Sequence, residues 1–310
     1  MQPKAQVCIQ THTSICSADK VFKGACLAKV RTELSVKTAR IDGCPATDRH
    51  RRALTLVELL VVIAIIALLA AMLLPGLSSA KANSRLIACA SNLRQLEIAF
   101  QSYAADNSGY LTQNVPLAGE FDTASLRTNA WVYGDMKAPN EATNALLVKI
   151  GELYPYTPQT GACRCPSDTI LADGWPRVRS YSMNSWIGST EMEAAQEVNP
   201  FRIFLKDSDL AAGMPASIWV HVDEHTASLN DGWFEVTMND STPFIKLPAT
   251  RHENAYNLSF ADGHVEVYHL RTAATQIPEV QAAAFTPFDP LQIPATNTDW
   301  IKLKQVTTSP

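Results

Sequence analysis

The feature that most limits what this chain can become is the run from Arg49 to Leu77, RHRRALTLVELLVVIAIIALLAAMLLPGL. Three arginines lead into it, and from Leu59 to Leu74 there is no polar side chain. A helix in water keeps a polar face, and this one has none. Residues 54–77 are long enough to cross a hydrocarbon core of about 30 Å. Within the run, Glu58 is costly: a carboxylate just inside a membrane segment costs roughly 2–3 kcal/mol or more unless it is paired or neutralised. A cut after Ala53 would give Leu54 a free amine, four residues before Glu58 and able to pair with it in the same or an adjacent subunit.

The block ALTLVELLVVIAIIALLAAMLLP resembles the processing site of type IV prepilins and type II secretion pseudopilins. In that family a basic leader precedes the cut, a Thr-Leu-Val-Glu block follows it, and proline often stands at the twenty-second mature position. The resemblance implies cleavage between Ala53 and Leu54 by prepilin peptidase with N-methylation of Leu54, and roles in assembly for Thr55, Glu58 and Pro75. Ala53 and Leu54 depart from the family's glycine and phenylalanine. Further segments, CASNLRQLEIAFQSYAADNSGYL, CRCPSD at 163–168, RSYSMN at 179–184 and DEHTASLNDGWF at 223–234, resemble the pseudopilin-like proteins common in Verrucomicrobia, Lentisphaerae and Planctomycetes. That family carries a histidine nine residues ahead of an Asp-Gly pair, here read as His252, Asp262 and Gly263.

Charge supports the orientation. Residues 1–53 hold 10 Lys/Arg and 4 Asp/Glu, a charge of +6, and the remainder carries −10. Basic residues stay on the cytoplasmic side, so the N-terminus is expected in the cytoplasm, the helix in the inner membrane in a single pass, and the C-terminal domain in the periplasm. The basic stretch has no interleaved aromatics, so nucleic acid is not an expected partner. The expected partners are prepilin peptidase, other pilin or pseudopilin subunits and an inner-membrane assembly platform.

The expected organisation has five parts. Residues 1–53 form a basic leader, cleaved or lying upstream of the true start, without ordered structure; the Cys8, Cys16 and Cys26 spacing matches no zinc site. Residues 54–77 are the transmembrane and assembly helix, with a kink or loosened turn at Pro75. Residues 78–109 continue it as an amphipathic helix, with Leu86, Cys89, Leu93, Leu96, Phe100 and Tyr103 on one stripe and Lys81, Arg85, Arg94, Glu97 and Gln101 off it. The whole helix is about 50 residues, roughly 80 Å, and should stop near Asn107-Ser-Gly109. Residues 110–272 form a pilin-like domain with an antiparallel sheet, and 273–310 an irregular tail over its surface. The fold class is therefore α+β: a long N-terminal membrane-spanning helix packed by its second half against a C-terminal sheet.

Within the domain, Ala142–Leu153 reads as a short helix, and Ser180–Trp186, Ile218–Asp223 and Trp233–Thr237 read as strands. NLSFADGHVEVYHL reads as a hairpin around a two-residue Asp262-Gly263 turn. That turn pairs Phe260 with Val265 and Leu258 with Val267, giving one apolar face that should cover the amphipathic part of the helix.

No catalytic residue emerges, and the protein is not expected to be an enzyme. His221, Glu224 and His225 match H-x-x-E-H, but that pattern needs a helix and here it continues a strand-like run. His252 is expected to bond backbone carbonyls while Asp262-Gly263 makes its turn. No cofactor is required by the sequence; the loop oxygen donors Asp223, Glu224, Asn230, Asp231 and Asp262 are the set that calcium would use. Of the cysteines beyond residue 53, Cys89 and Cys165 could bridge in an oxidising compartment, against a buried free Cys89. The functional expectation is a structural subunit of a periplasmic pseudopilus or type IV pilus-like filament. The alternatives are a periplasmic enzyme or binding domain that uses the helix only as a tether, and a secretory signal cut near Ala80, whose apolar region would be too long.

Overall fold

The structure is a computed structural model that describes residues 55–116, 129–189, 201–238 and 244–309. Residues 1–54, including Ala53 and Leu54, lie outside them, as does the side chain of Pro75. The chain divides into two units, Met1–Glu58 and Leu59–Pro310. The described part of the first holds the start of helix α1, Leu56–Asp106. The helix runs unbroken through position 75, so the loosening expected there does not interrupt it. One proline removes one ladder bond, which a helix of 51 residues absorbs.

The two halves of α1 differ as their sequences do. Leu59 to Leu74 is exposed throughout, and the helix is long and apolar enough to cross a membrane. From residue 89 onward one face is covered: Cys89, Leu93, Leu96, Ala99, Phe100 and Ala104 are buried. Glu97 is buried too, against expectation. It lies four residues after Leu93 and three before Phe100, which puts it on the packed face rather than beside it. The helix ends with a Schellman arrangement. Ser108 takes φ +56°, and Gly109 N–H donates to Ala104 C=O at 2.8 Å.

Two short helices follow, α2 (Pro139–Ala142) and α3 (Ala145–Lys149), in place of the single one expected over 142–153. Asn144 separates them by capping α3, its side chain accepting from Leu146 N–H. A small hairpin, β1 (Leu171–Ala172) with β2 (Trp175–Pro176), turns on Asp173 and Gly174, both with positive φ. The main sheet holds β3 (Tyr181–Asn184), β4 (Trp219–Asp223), β5 (Trp233–Phe234), β6 (Ala255–Phe260) and β7 (Val265–His269) in the order β5-β3-β4-β6-β7. All its pairings are antiparallel except β3 with β5, so the sheet is mixed at that edge. The fold is α+β, with the long helix leading and the sheet following.

The β6–β7 hairpin is displaced by one residue from the expected register. Ser259 pairs with Val265, Leu258 with Glu266 and Asn257 with Val267. A two-residue type I′ turn needs positive φ at both central residues. Gly263 has it (+94°) and Asp262 does not. Gly263 N–H instead donates to Phe260 C=O at 2.8 Å, and Phe260 N–H to His264 C=O at 2.9 Å, a tight turn followed by a glycine bulge. The extra residue exchanges the faces. Leu258, Phe260 and Tyr256 turn away from α1 into a second core with Trp219, Phe244 and Trp300. Ser259 faces α1 in their place, while Val265 faces α1 as expected.

The sheet thus separates two cores. One packs α1 against Trp131, Tyr181, Met183 and Val220. The other is closed by the C-terminal segment, which is not an irregular surface tail. Its helix α4 (Thr298–Gln305) is capped by the Asn297 side chain, which accepts from Asp299 and Trp300 N–H. Trp300 and Leu303, three apart, enter the core. After it, Asn184 Nδ2 donates to Thr307 C=O at 2.8 Å, and Trp219 Nε1 to Thr307 Oγ1 at 2.9 Å.

Candidate functional site

At the start of α1, Thr55 and Glu58 bond reciprocally. Thr55 N–H and Oγ1 donate to Glu58 Oε2 at 2.8 and 2.9 Å, and Glu58 N–H donates to Thr55 Oγ1 at 3.2 Å. This is a capping box, legible in the spacing T-x-x-E although the sequence reading gave both residues to assembly alone. It satisfies two N–H groups that would otherwise open onto an apolar environment.

A second site lies where the packed half of α1 meets the sheet. The segments 163–168, 179–184 and 223–234 converge there with Arg251 and His252. Arg177 pairs with Asp168 at 2.9 Å, both buried. Arg251 reaches Asp223 at 2.8 Å and Glu279 at 3.2 Å. Arg179 donates to the carbonyls of Tyr181, Asn230, Asp231 and Gly134 between 2.7 and 3.2 Å. Glu224 accepts from Ser182 and Ser228 and lies 3.8 Å from Lys246, which is 3.2 Å from Asp231 and also donates to Asn230. Buried charges are retained only with such partners.

The oxygen donors considered for calcium are therefore not gathered round a common point. Asp223 faces Arg251; Glu224, Asn230 and Asp231 face Lys246. Asp262 sits in the hairpin turn, bonded to His264 at 2.5 Å. A cation placed among them would compete with ammonium and guanidinium groups already there. Likewise His252 and Asp262-Gly263 do not share a site. Strand β6 lies between them, six residues or about 20 Å of extended chain.

His252 bonds side chains, not the carbonyls expected. Its Nε2 lies 3.1 Å from Cys165 Sγ and 3.5 Å from Asp223 Oδ2, and its Nδ1 is 3.5 Å from Ser167 Oγ. Cys89 completes the group, its Sγ 3.5 Å from Asp223 Oδ2. One ligand atom from each of Cys89, Cys165, Asp223 and His252 lies within 4.8 Å of all the others, and all four residues are buried. The two cysteines considered as a bridge are thus brought together, as free thiols; Cys163 is also free and buried. Burial pushes the Asp223 carboxyl up to about 7, against the pull of Arg251. Burial opposes the charged form of His252, but bonds to Asp223 and Cys165 lift it to about 9. Burial also works against the Cys165 thiolate, yet bonds from Cys89 and His252, with Arg251 nearby, hold that thiol well below its usual range. Groups this close share protons rather than titrating singly.

The H-x-x-E-H residues go separate ways, as a strand requires. His221 faces α1, its Nδ1 3.6 Å from Glu97 Oε2, and its ring packs edge-on against Phe100 and Trp131. His225 lies 3.1 Å from the Ile277 carbonyl. Arg177, Lys246, Arg251 and Glu279 carry no local sign in the sequence of the ion pairs they make, and Arg179 stands there only as the first residue of RSYSMN. Only a charge inside an apolar stripe, as at Glu97, was a readable sign of burial.

Residues 48–74 match the model of the prokaryotic N-terminal methylation motif. The chain carries a prepilin-type signal. It spans the three arginines, Ala53, the capping box and the apolar run to Leu74, and together with the length of α1 it is consistent with a single-pass membrane anchor. No curated protein and no solved structure matches the chain.

Proposed function

We propose that the protein is a structural subunit of a pilin-like filament, of the type II secretion pseudopilus or type IV pilus-like class, and not an enzyme. Prepilin peptidase cuts between Ala53 and Leu54, the new N-terminus is methylated, and the subunit waits in the inner membrane with its sheet domain in the periplasm. An assembly platform then draws it into a filament with other subunits. The observation that carries this reading is the prepilin-type signal of residues 48–74 leading directly into a helix whose apolar side chains are exposed. A tether needs only the apolar length; it needs neither the basic residues beside a small residue nor an acid at this depth.

In this account Glu58 is answered in the filament by the Leu54 amine of a neighbouring subunit. The carboxylate costs roughly 2–3 kcal/mol in the membrane, and its pairing favours leaving the bilayer for the filament. Two variants separate this role from capping. Glu58→Ala removes both; Glu58→Gln keeps a side chain that can complete the box but cannot pair with an amine. Both are expected to remain in the membrane fraction and to be absent from sheared filaments, measured by immunoblot of each fraction. Normal incorporation of Glu58→Gln would refute the pairing.

A further inference from the structure

We propose that Cys89, Cys165, Asp223 and His252 form a tetrahedral zinc site that fastens α1 to the sheet domain. The four residues come from four separate places: α1, the turn at 163–168, β4, and the loop before β6. Nothing in the local structure of any one segment requires the other three to meet it. Yet each sends one donor atom to a common point, with all four buried.

The distances suit the metal. Zinc bonds of about 2.0 Å to nitrogen or oxygen and 2.3 Å to sulfur give a tetrahedron with edges of roughly 3.3–3.8 Å. Two separations fall in that range, 3.5 Å from Asp223 Oδ2 to both His252 Nε2 and Cys89 Sγ, and the third, 3.1 Å between Cys165 Sγ and His252 Nε2, opens by a few tenths of an ångström as the ion enters. The donor set of two sulfurs, one imidazole nitrogen and one carboxylate oxygen selects a borderline-soft ion and disfavours calcium or magnesium. Four protein ligands leave no open position, so the site is structural, not catalytic.

The surroundings hold three of the ligands in the orientation that binding needs. Arg251 Nη1 donates to Asp223 Oδ1 at 2.8 Å, which leaves Oδ2 directed at the common point. Ser167 Oγ lies 3.5 Å from the far nitrogen of His252. Tyr181 OH donates to Cys89 Sγ at 3.3 Å, as suits a sulfur carrying negative charge. Arg251 does not oppose a cation at full strength, because Glu279 and Asp168 lie 3.2 and 4.0 Å from it. A surface pocket lined by Asn83, Arg85, Ser167 and His252 brings solvent to the edge of the cluster. On binding, Zn²⁺ displaces the proton of the Cys89 thiol and the proton shared by Cys165 Sγ and His252 Nε2, and both leave to solvent. A Cys89–Cys165 disulfide would account for two of the four residues; the metal accounts for all of them.

The test uses the full chain in mild detergent under reducing conditions. Elemental analysis is expected to find one zinc per chain. After removal by a chelator, Co²⁺ is expected to restore binding at one ion per chain, with thiolate-to-cobalt charge-transfer absorption that added Zn²⁺ abolishes. Cys165→Ser and His252→Gln should each weaken or lose that absorption, while Cys163→Ser should keep it. Circular dichroism of each variant establishes that the fold is retained. Three results would overturn the proposal: no cobalt–thiolate absorption from folded wild-type chain, absorption unchanged in Cys165→Ser, or a Cys89–Cys165 disulfide in chain isolated without reductant.

Discussion

Trp300→Ala tests whether residues 273–310 belong to the core. Trp300 is 1% exposed and meets Phe244 edge-on at a centroid distance of 4.9 Å. Truncating a buried tryptophan to alanine costs about 3–5 kcal/mol, with the aromatic pair included in that range. Total stability of a domain is about 5–15 kcal/mol, so the loss is roughly a fifth of it or more. At about 2–4 °C per kcal/mol for a domain of this size, the melting temperature should fall by roughly 6–20 °C. The control is Trp175→Ala: Trp175 is 71% exposed, so the same truncation should change stability by no more than about 0.5 kcal/mol. Both variants are compared with wild type by denaturant unfolding, followed by circular dichroism. If Trp300→Ala behaves like Trp175→Ala, α4 is a surface attachment and the two-core description is wrong.

Asp299 accepts from Thr272 N–H, Thr272 Oγ1 and Thr275 Oγ1 at 2.9, 2.6 and 2.6 Å. Burial works against its charged form, but these bonds hold its carboxyl below the usual aspartate range. A depressed folded pKa gives stability that is present above the unfolded value of about 3.9 and lost as pH falls through the folded one. Asp299→Asn should cost about 1–3 kcal/mol at pH 7 through the lost hydrogen bonds, and that cost should shrink as pH falls below about 3.9; a cost that stays constant into acid, measured by denaturant unfolding, would refute it. Gly188 has φ +64°, and a Cβ there would sit 2.0 Å from the Thr112 carbonyl oxygen. Gly188→Ala should destabilise by more than about 1 kcal/mol, and an unchanged unfolding midpoint would show that the 112–114 segment does not pack there.

How much of this could be read in advance depended on whether the signal was local. The apolar run, the stop at Asn107-Ser-Gly109 and strand β4 were legible because periodicity and turn chemistry act over a few residues. The hairpin shows the limit. Of the two Asp-Gly pairs that turn hairpins among the described residues, 173–174 and 262–263, only the first takes positive φ at both positions, and the second makes a bulge. One residue of difference sent Phe260 to the far core. The helix α4 carries its own signals, the Asn297 cap and the Trp300/Leu303 spacing, but the proline and alanine that precede it are those of an irregular segment. The buried polar cluster was the least legible part. Its members were noticed as separate motifs, and which of them meet is decided by the sheet order, not by any spacing along the chain.

The central claim is that a cut after Ala53 makes the assembling molecule. The mature protein, recovered from membranes and from any filament fraction, can be sequenced from its N-terminus and weighed by mass spectrometry. The account predicts a chain beginning LTLVELL, with one methyl group on its amine. A functional protein that retains residues 1–53 would contradict it.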